Sequence, residues 1–211
     1  MTLSRLNAIV DVDVAARAGW DPADLARAFL AGGATFLQLR AKNASGAAFL
    51  AAATKIAALA RSANALLIVN DRADIARLAD ADGVHVGQDD LPPAAVRCVV
   101  GPDAIVGIST HTPDQIDAAI REQIDYVAVG PVFDTATKGT GYAPIGLDLV
   151  RGAAARARAA GLPLVAIGGI TLDRAADVVA AGASSVAVIT DLLASSDPEG
   201  RVRAYLQRLS V

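Results

Sequence analysis

The feature that most constrains this chain is an eightfold repeat. A short apolar run rich in valine and isoleucine leads to a polar or glycine-containing exit and then to an amphipathic, alanine-rich stretch. Each repeat predicts a strand followed by a helix. The predicted strands are Asn7–Asp13, Phe36–Lys42, Leu66–Asp71, Gly83–Gly87, Ile105–Thr110, Tyr126–Phe133, Leu164–Gly168 and Ser185–Ile189. Since these runs are apolar on both faces, they indicate a parallel sheet covered by helices.

The number of repeats favours a closed barrel. Eight strand–helix units predict an α/β protein with one (β/α)8 TIM barrel, and an open doubly wound sheet is the second expectation. The chain has 211 residues, 54% of them hydrophobic, which is enough for one large core. No stretch resembles an interdomain linker, so residues 1–211 are expected to form a single domain.

Residues at the ends of the helical stretches agree with this pattern. Asp21, Thr112 and Thr171 each precede a helical run and are predicted to cap it with a side-chain oxygen. Gly161 and Gly182 each precede a predicted strand and are expected to end the helix before it in a left-handed conformation.

Composition excludes several classes of function. Nineteen Lys and Arg against 22 Asp and Glu give a net charge of −3, so we expect no nucleic-acid partner. The single cysteine, Cys98, allows no intrachain disulfide and fits a reducing, cytoplasmic compartment. The longest uncharged stretch, Ala159–Leu172, is broken by glycine and proline and is too short to span a membrane. Symmetric self-association is the commonest state of such proteins, so a homo-oligomer is the default expectation.

Polar residues at strand exits are the informative ones, because a TIM barrel carries its chemistry at the carboxyl ends of its strands. On the second strand, Gln38, Arg40 and Lys42 alternate with leucines and share one face. If that face is the interior and mouth, two cations there require an anion. In the opposite register, Arg40 and Lys42 would pair with helix carboxylates while Leu37 and Leu39 filled the barrel.

Carboxylates leave two neighbouring strands. Asp71 follows the third strand and Asp90 the fourth, so both are expected at one rim. Together with the cations, they offer what Mg²⁺ prefers, namely one or two carboxylates plus phosphate oxygens and water. Either aspartate taken singly would also serve as a helix cap.

The last two strands end in a pattern typical of phosphate binding. Gly168–Ile170 and Ile189-Thr190 occupy the exits where TIM barrels commonly hold a phosphate with backbone N–H groups, although paired glycines also simply turn a chain. Thr135–Lys138 adds hydroxyl donors and a cation nearby. The segment Asp134–Gly146 is the longest irregular one and is polar enough for a lid, the alternative being a solvated loop.

Three further polar residues lie at strand ends. Ser109 closes the fifth strand and serves equally well as a donor to a ligand or as a helix cap. His85 and His111 are the only histidines, and a structural imidazole is the default for each. His111 is the natural base if the chemistry needs one.

At these exits the chain resembles thiamine phosphate synthases over nearly its whole length. The matching segments, each weak alone but strong together in this order, are Gln38–Lys42, Asn70–Arg72, Gly83–Asp90, Gly107–Ser109, Thr135–Lys138, Gly168–Ile170 and Val188–Thr190. The first strand carries Asp11 and Asp13 where the family usually has an aromatic residue, and Asp134 stands where proline is common.

The resemblance implies an activity and a site. Enzymes of the family couple a pyrimidine methyl diphosphate to a thiazole phosphate and release pyrophosphate with the help of Mg²⁺. The pyrimidine diphosphate would be held by Gln38, Arg40, Lys42, Asn70, Ser109 and Lys138. The metal would be bound by Asp71 and Asp90. The thiazole phosphate would be held by Thr135, Thr137, Gly169 and the backbone of Ile189 and Thr190.

The implied chemistry suits these residues. Mg²⁺ with Arg40, Lys42 and Lys138 would stabilise the departing pyrophosphate, and the thiazole nitrogen would attack the resulting pyrimidine methyl cation. No protein nucleophile is needed, and the sequence offers none.

Two other functions stay open. A thiazole tautomerase of the related family shares the barrel and the thiazole phosphate site, and His111 is compatible with its proton transfer. That enzyme has no chemical need for the metal and diphosphate residues. A noncatalytic barrel that binds a phosphorylated ligand is the third reading.

Overall fold

The computed structural model describes residues 3–135 and 142–210. Its strands form one closed parallel barrel in sequence order, with the last strand paired to the first. The strands are β1 (Leu6–Asp11), β2 (Phe36–Arg40), β3 (Leu66–Asn70), β4 (Gly83–Val86), β5 (Ile105–Thr110), β6 (Tyr126–Val129), β7 (Leu164–Ile167) and β8 (Ser185–Val188). The predicted (β/α)8 barrel is confirmed, and the open doubly wound sheet is wrong.

Helices connect the strands and follow the last one. They are α1 (Val12–Arg17), α2 (Pro22–Ala31), α3 (Gly46–Ser62), α4 (Ala73–Leu78), α5 (Pro93–Val100), α6 (Pro113–Ala119), α7 (Gly146–Ala159), α8 (Leu172–Ala180) and α9 (Pro198–Leu209). A short 3-10 helix, Thr190–Leu193, lies between β8 and α9. Among the described helices, none combines the length and the apolar character needed to cross a membrane.

The core has two layers, and they settle the direction of the β2 side chains. Leu37 and Leu39 are fully buried in the layer between the strands and the helices. Phe36 belongs to the separate apolar cluster inside the barrel, together with Ile9 and Ile68. Since side chains alternate along a strand, Gln38 and Arg40 face the interior with Phe36. The opposite register is therefore wrong.

Several predicted strands run too far. β6 stops at Val129 instead of Phe133, because Pro131 has no N–H for the ladder. β1 stops at Asp11 instead of Asp13, because the Asp11 side chain accepts the Val14 N–H at 3.0 Å and starts α1. Lys42 lies two residues beyond β2, in a turn. These local terminators lie inside apolar runs, where periodicity alone does not reveal them.

Two of the three predicted helix caps are present. The Asp21 carboxylate accepts the Ala23 N–H at 2.8 Å, and the Thr112 hydroxyl accepts the Gln115 N–H at 3.2 Å. The prediction for Thr171 is wrong, because its side chain makes no cap bond. The first N–H of α8, that of Leu172, is instead bonded by the carboxylate of Asp191, which is distant in sequence.

The two glycines predicted to end helices adopt the expected left-handed conformation. Gly161 follows α7 with φ +72°, and Gly182 follows α8 with φ +108°. A Cβ at Gly182 would also lie 2.7 Å from the Cβ of Ala154 on the neighbouring helix α7. Glycine is therefore needed there both for backbone conformation and for close packing.

Candidate active site

A cavity of about 780 Å³ opens at the carboxyl ends of the strands, a size typical of small-molecule sites. Arg40 and Asp71, from neighbouring strand exits, both line it. The predicted site residues on its wall are Arg40, Lys42, Asn70, Asp71, Asp90, Ser109, Thr135, Gly169, Ile189 and Thr190. Cations, carboxylates and the glycine exits thus meet at one opening.

Of the predicted site residues that the structure describes, Gln38 alone is not on that wall. Thr137 and Lys138 lie outside the described residues, as does the central part of the predicted lid Asp134–Gly146. Gln38 is buried one layer deeper in the barrel, where its side chain hydrogen-bonds Tyr126.

Arg40 has a carboxylate partner that sequence reasoning missed. The parallel register of β1 and β2 places Asp11 opposite Arg40, and Arg40 Nη1 donates to Asp11 Oδ2. Asp11 is 2% exposed and the Arg40 side chain 12%, so the pair is largely removed from water. The other Asp11 oxygen caps α1. Asp11 therefore orients a cation of the site. The sequence signal for this pair was that Asp11 and Arg40 stand at the exits of two consecutive strands.

The two aspartates predicted to bind metal lie together. Asp71 follows β3 with φ +66°, and Lys42 Nζ lies 2.8 Å from its Oδ2. Asp90 Oδ2 accepts the Gly87 N–H at 2.8 Å, which closes the turn after β4. Neither caps a helix, because no side-chain bond caps α4 or α5. The alternative reading of both as helix caps is wrong.

The electrostatics of this pair favour a cation. Burial raises the pKa of Asp90; the Gly87 N–H and Lys42 lower it, while the charge and hydrogen bond of Asp71 raise it further. Two carboxylates that share a hydrogen bond repel each other when both are ionised, and a divalent cation relieves that repulsion. Within residues 3–135 and 142–210, no group of three or more His, Cys, Asp or Glu forms a metal site. Asp71 and Asp90 both line the cavity. Two carboxylates beside a cavity suit Mg²⁺, because this ion takes water and substrate oxygens as its remaining ligands.

Ser109 is held from two sides at the cavity wall. Its Oγ lies 2.8 Å from His85 Nε2, and its backbone oxygen accepts Gln88 Nε2 at 2.7 Å. Because Thr112 is the residue that caps α6, the reading of Ser109 as the cap of that helix is wrong. Ser109 is positioned as a polar group of the cavity.

Glycines on the opposite side of the cavity allow two segments to come close. Gly168 and Gly169 follow β7 with φ +104° and +62°. A Cβ at Gly168 would lie 2.5 Å from Pro131 Cα, and one at Gly169 would lie 2.4 Å from the Asp134 oxygen. These positions exclude a side chain, and their backbone stays accessible at the cavity wall.

Asp191 anchors the neighbouring exit after β8. Its Oδ2 accepts the Leu172 N–H at 3.1 Å, the Tyr205 hydroxyl at 2.5 Å and Arg201 Nη2 at 2.7 Å. This carboxylate therefore takes the capping role predicted for Thr171 and ties the 3-10 helix to α8 and α9. Ile189 and Thr190 directly precede Asp191 in the chain and line the cavity.

An arginine on this side was not predicted. Arg174, in the first turn of α8, lines the cavity, and its guanidinium carbon lies 4.8 Å from the centre of the Phe133 ring. The ring supports the cation beside the glycine exit. The sequence signal was its position shortly after Gly168–Ile170, which places it near the carboxyl end of the barrel.

His111 is stacked on Tyr142, with ring centres 4.0 Å apart and planes within 12°. His111 Nδ1 lies 2.5 Å from the Gly130 oxygen, so Nδ1 carries the proton that is donated to it. In the neutral ring, Nε2 is then an acceptor. Both residues line the cavity.

Comparison with known proteins agrees with this geometry. Residues 7–192 match the family model described as thiamine monophosphate synthase. The chain is 44% identical to the thiamine-phosphate synthase of Chlorobium luteolum over 185 residues, 88% of this chain and 86% of that protein. It is 48% identical to that of Anaeromyxobacter dehalogenans over 181 residues, 86% of this chain and 80% of that protein.

A solved structure shows the same architecture. Thiamine phosphate pyrophosphorylase from Pyrococcus furiosus superposes with a TM-score of 0.86 at 28% identity, covering 98% of this chain and 96% of that one. The family match begins within β1 and extends past β8, and the relatives align over most of their own length. The barrel, the polar residues around its cavity and these similarities lead to one conclusion: the chain belongs to the thiamine monophosphate synthase family.

Proposed function

We propose that the chain is a thiamine-phosphate synthase, which joins a pyrimidine methyl diphosphate to a thiazole phosphate and releases pyrophosphate. The observation that carries this proposal is that one cavity is lined from two sides, by residues that follow β2, β3 and β4 and by residues that follow β7 and β8. Arg40, Lys42, Asp71 and Asp90 line one half. The glycine exit, with Arg174, lines the other. Two phosphorylated substrates are accommodated by two such halves.

The first half suits the diphosphate. Arg40 and Lys42 supply positive charge, and Asn70 and Ser109 add neutral hydrogen-bond groups. Asp71 and Asp90 would hold Mg²⁺, and Lys138 would complete the set. When bound, Mg²⁺ supplies positive charge to diphosphate oxygens as they become a leaving group. Lys42 is half exposed, so it is free to turn from Asp71 toward the diphosphate.

The second half suits the thiazole phosphate. Backbone N–H groups at Gly169 and Thr190 and the guanidinium of Arg174 are donors of the kind that phosphate oxygens accept. Thr135, and with it Thr137, would add hydroxyl donors. The thiazole ring would then lie between its own phosphate and the pyrimidine.

The reaction follows from this placement. The bond between the pyrimidine methylene carbon and the diphosphate oxygen breaks, and its electron pair leaves with the pyrophosphate. Arg40, Lys42 and Ser109 stabilise the charge that develops there. The thiazole nitrogen donates its lone pair to the methylene carbon and forms the new carbon–nitrogen bond, which leaves a thiazolium cation. No protein group has to accept a proton.

A thiazole tautomerase is the second candidate, because His111 lines the cavity and its Nε2 would be free of a proton in the tautomer that donates from Nδ1 to the Gly130 oxygen. Against it stands the acid pair beside Arg40 and Lys42, which proton transfer on a thiazole does not require. A barrel that only binds a phosphorylated ligand is the third candidate, and turnover separates it from the other two.

The test is an assay of pyrophosphate release. With both substrates and Mg²⁺, release of pyrophosphate together with thiamine phosphate is expected, and a chelator should abolish it. Asp90→Ala should lower turnover by on the order of a hundredfold, as loss of a major electrostatic group does. Rearranged thiazole formed without Mg²⁺ or the diphosphate would favour the tautomerase. Saturable binding without any product would favour the binding barrel.

A further inference from the structure

A line of hydrogen-bonded side chains runs through the barrel interior and ends at the cavity. Gln38 on β2 hydrogen-bonds Tyr126 on β6. Tyr126 Oη lies 2.9 Å from His85 Nδ1, and His85 Nε2 lies 2.8 Å from Ser109 Oγ. The imidazole and the phenol rings are also stacked, with centres 5.5 Å apart and planes within 19°.

This line is rigidly built. Tyr126 is fully buried, and Gly107 on the adjacent strand leaves the space for its ring. A Cβ at Gly107 would lie 2.1 Å from Tyr126 Cζ. Phe36 packs edge-on against the same ring at 6.1 Å between centres. The phenol hydroxyl is therefore held in one place beneath His85.

The hydrogen bonds have a definite direction. Burial raises the pKa of the Tyr126 phenol well above its ordinary value, so the phenol keeps its proton. A phenol is a stronger hydrogen-bond donor and a weaker acceptor than a serine hydroxyl, so of the two oxygens beside the imidazole the phenol donates and Ser109 accepts. The phenol proton then goes to His85 Nδ1. A neutral His85 with Nδ1 as acceptor carries its proton on Nε2 and donates it to Ser109 Oγ.

The end of the line matters for the reaction. Since Ser109 Oγ accepts from His85, its own proton is left to be donated into the cavity that Ser109 lines. A hydroxyl that presents its proton to an anion stabilises it, whereas one that presents lone pairs repels it. In the reverse direction Ser109 would donate to His85 and face the diphosphate with lone pairs only.

We propose that Tyr126 is a positioning residue that, through His85, fixes the Ser109 hydroxyl as a hydrogen-bond donor to the departing diphosphate. This inference rests on the proposed function for the identity of the anion. Tyr126 does not line the cavity, and it acts only by setting the direction of the bonds above it.

A double-mutant cycle on the full chain tests the coupling. Tyr126→Phe removes one hydroxyl and keeps the ring, so the packing around Gly107 is retained. It should lower kcat for pyrophosphate release about tenfold and leave KM for the thiazole phosphate unchanged. This loss is smaller than the loss from removing a donor at a developing charge, because the Ser109 hydroxyl is still present. In the Ser109→Ala background, the same change should cost nothing further, because the group it positions is gone.

Thr110→Val is the matched control. Thr110 follows Ser109 on β5, is fully buried and donates its hydroxyl to the Ala128 oxygen at 2.7 Å, away from the cavity. It loses a buried hydroxyl just as Tyr126→Phe does, so it reports the cost of such a loss to stability. Its kcat should stay at the wild-type value. Equal losses of kcat in Thr110→Val and Tyr126→Phe would overturn the proposal, as would multiplicative losses in the double variant.

The direction of the bonds has its own readout, which needs no turnover. The chain has two histidines, and ¹⁵N NMR at about pH 8, above the ordinary histidine pKa, distinguishes their tautomers. His85 should carry its proton on Nε2, while His111 carries it on Nδ1, and Tyr126→Phe should release the preference of His85 alone. A proton on His85 Nδ1 would overturn the inference. Absence of pyrophosphate release from the wild type with this tautomer present would instead reject the proposed function.

Discussion

The buried pair between Asp11 and Arg40 allows a prediction whose size follows from the structure. Asp11→Asn keeps the shape of the side chain and its oxygen for the Val14 N–H, but it removes the negative charge that faces Arg40. Removing one partner of a buried ion pair costs about 3–5 kcal/mol, because the remaining charge stays buried without compensation. The Arg40 side chain is 12% exposed, so water offsets part of this cost. We therefore expect Asp11→Asn to lower the free energy of unfolding by about 2–3 kcal/mol.

Urea denaturation measures this change. For a slope of about 2 kcal/mol per molar urea, the midpoint should fall by about 1 M while the slope itself stays constant. The control is Asp80→Asn, which removes the acid of a directly bonded but exposed pair, Arg61 and Asp80 at 2.7 Å with side chains 62% and 84% exposed. That variant should change the free energy of unfolding by less than about 1 kcal/mol.

Binding of pyrophosphate gives a second measurement on the same variant. Without Asp11 as its counterion, the positive charge of Arg40 is no longer neutralised and attracts an anion in the cavity more strongly. Added pyrophosphate should therefore raise the urea midpoint of Asp11→Asn more than that of the wild type. An Asp11→Asn midpoint equal to that of the wild type would refute the reasoning, since the pair would then contribute no more than a surface contact.

Four further variants test other parts of the site. Asp90→Asn should raise the urea midpoint of the metal-free chain at neutral pH, because it removes a charge whose burial and repulsion by Asp71 raise the pKa of Asp90, and should remove the stabilisation by added Mg²⁺; a lower midpoint would contradict this. Arg174→Gln should raise KM for the thiazole phosphate about tenfold at constant KM for the diphosphate, and equal changes in both would argue against its placement. Gly169→Ala should weaken thiazole phosphate binding, measured by calorimetry, because its Cβ would lie 2.4 Å from the Asp134 oxygen; wild-type affinity would count against the glycine site. Gly107→Ala should destabilise the chain by about 1–3 kcal/mol through overpacking against Tyr126, and an unchanged thermal midpoint would show that the ring has room to move.

The parts of the fold that sequence reasoning predicted correctly are those fixed by local patterns. Alternation along β2 put Arg40 on the interior face, and the structure confirms that direction because Leu37 and Leu39 pack against the helices. Aspartate and threonine before α2 and α6 cap those helices as predicted. The N–H groups that these caps bind lie two or three residues further on, and the alternation along β2 involves neighbouring residues only. A short stretch of sequence therefore contains everything that these predictions need.

The predictions that were wrong depend on partners distant in sequence. Leu172 at the start of α8 donates to Asp191, 19 residues away, and not to the adjacent Thr171. Asp71 and Asp90 read equally well as helix caps until the barrel brings their carboxylates together. Asp11 looked like a departure from the family's usual residue, and only the register of β1 against β2 shows it beside Arg40.

The sequence by itself determined the eight strand–helix units, the barrel and the set of polar residues at its mouth, since periodicity and strand direction are local properties of the chain. Only the tertiary structure decided which of those residues meet, because ion pairs and hydrogen bonds form between neighbouring strands whose register is set by packing around the whole barrel. The direction of the bonds from Gln38 to Ser109 belongs to that second group. It depends on four strands holding four side chains in one line, which no segment of the sequence specifies alone.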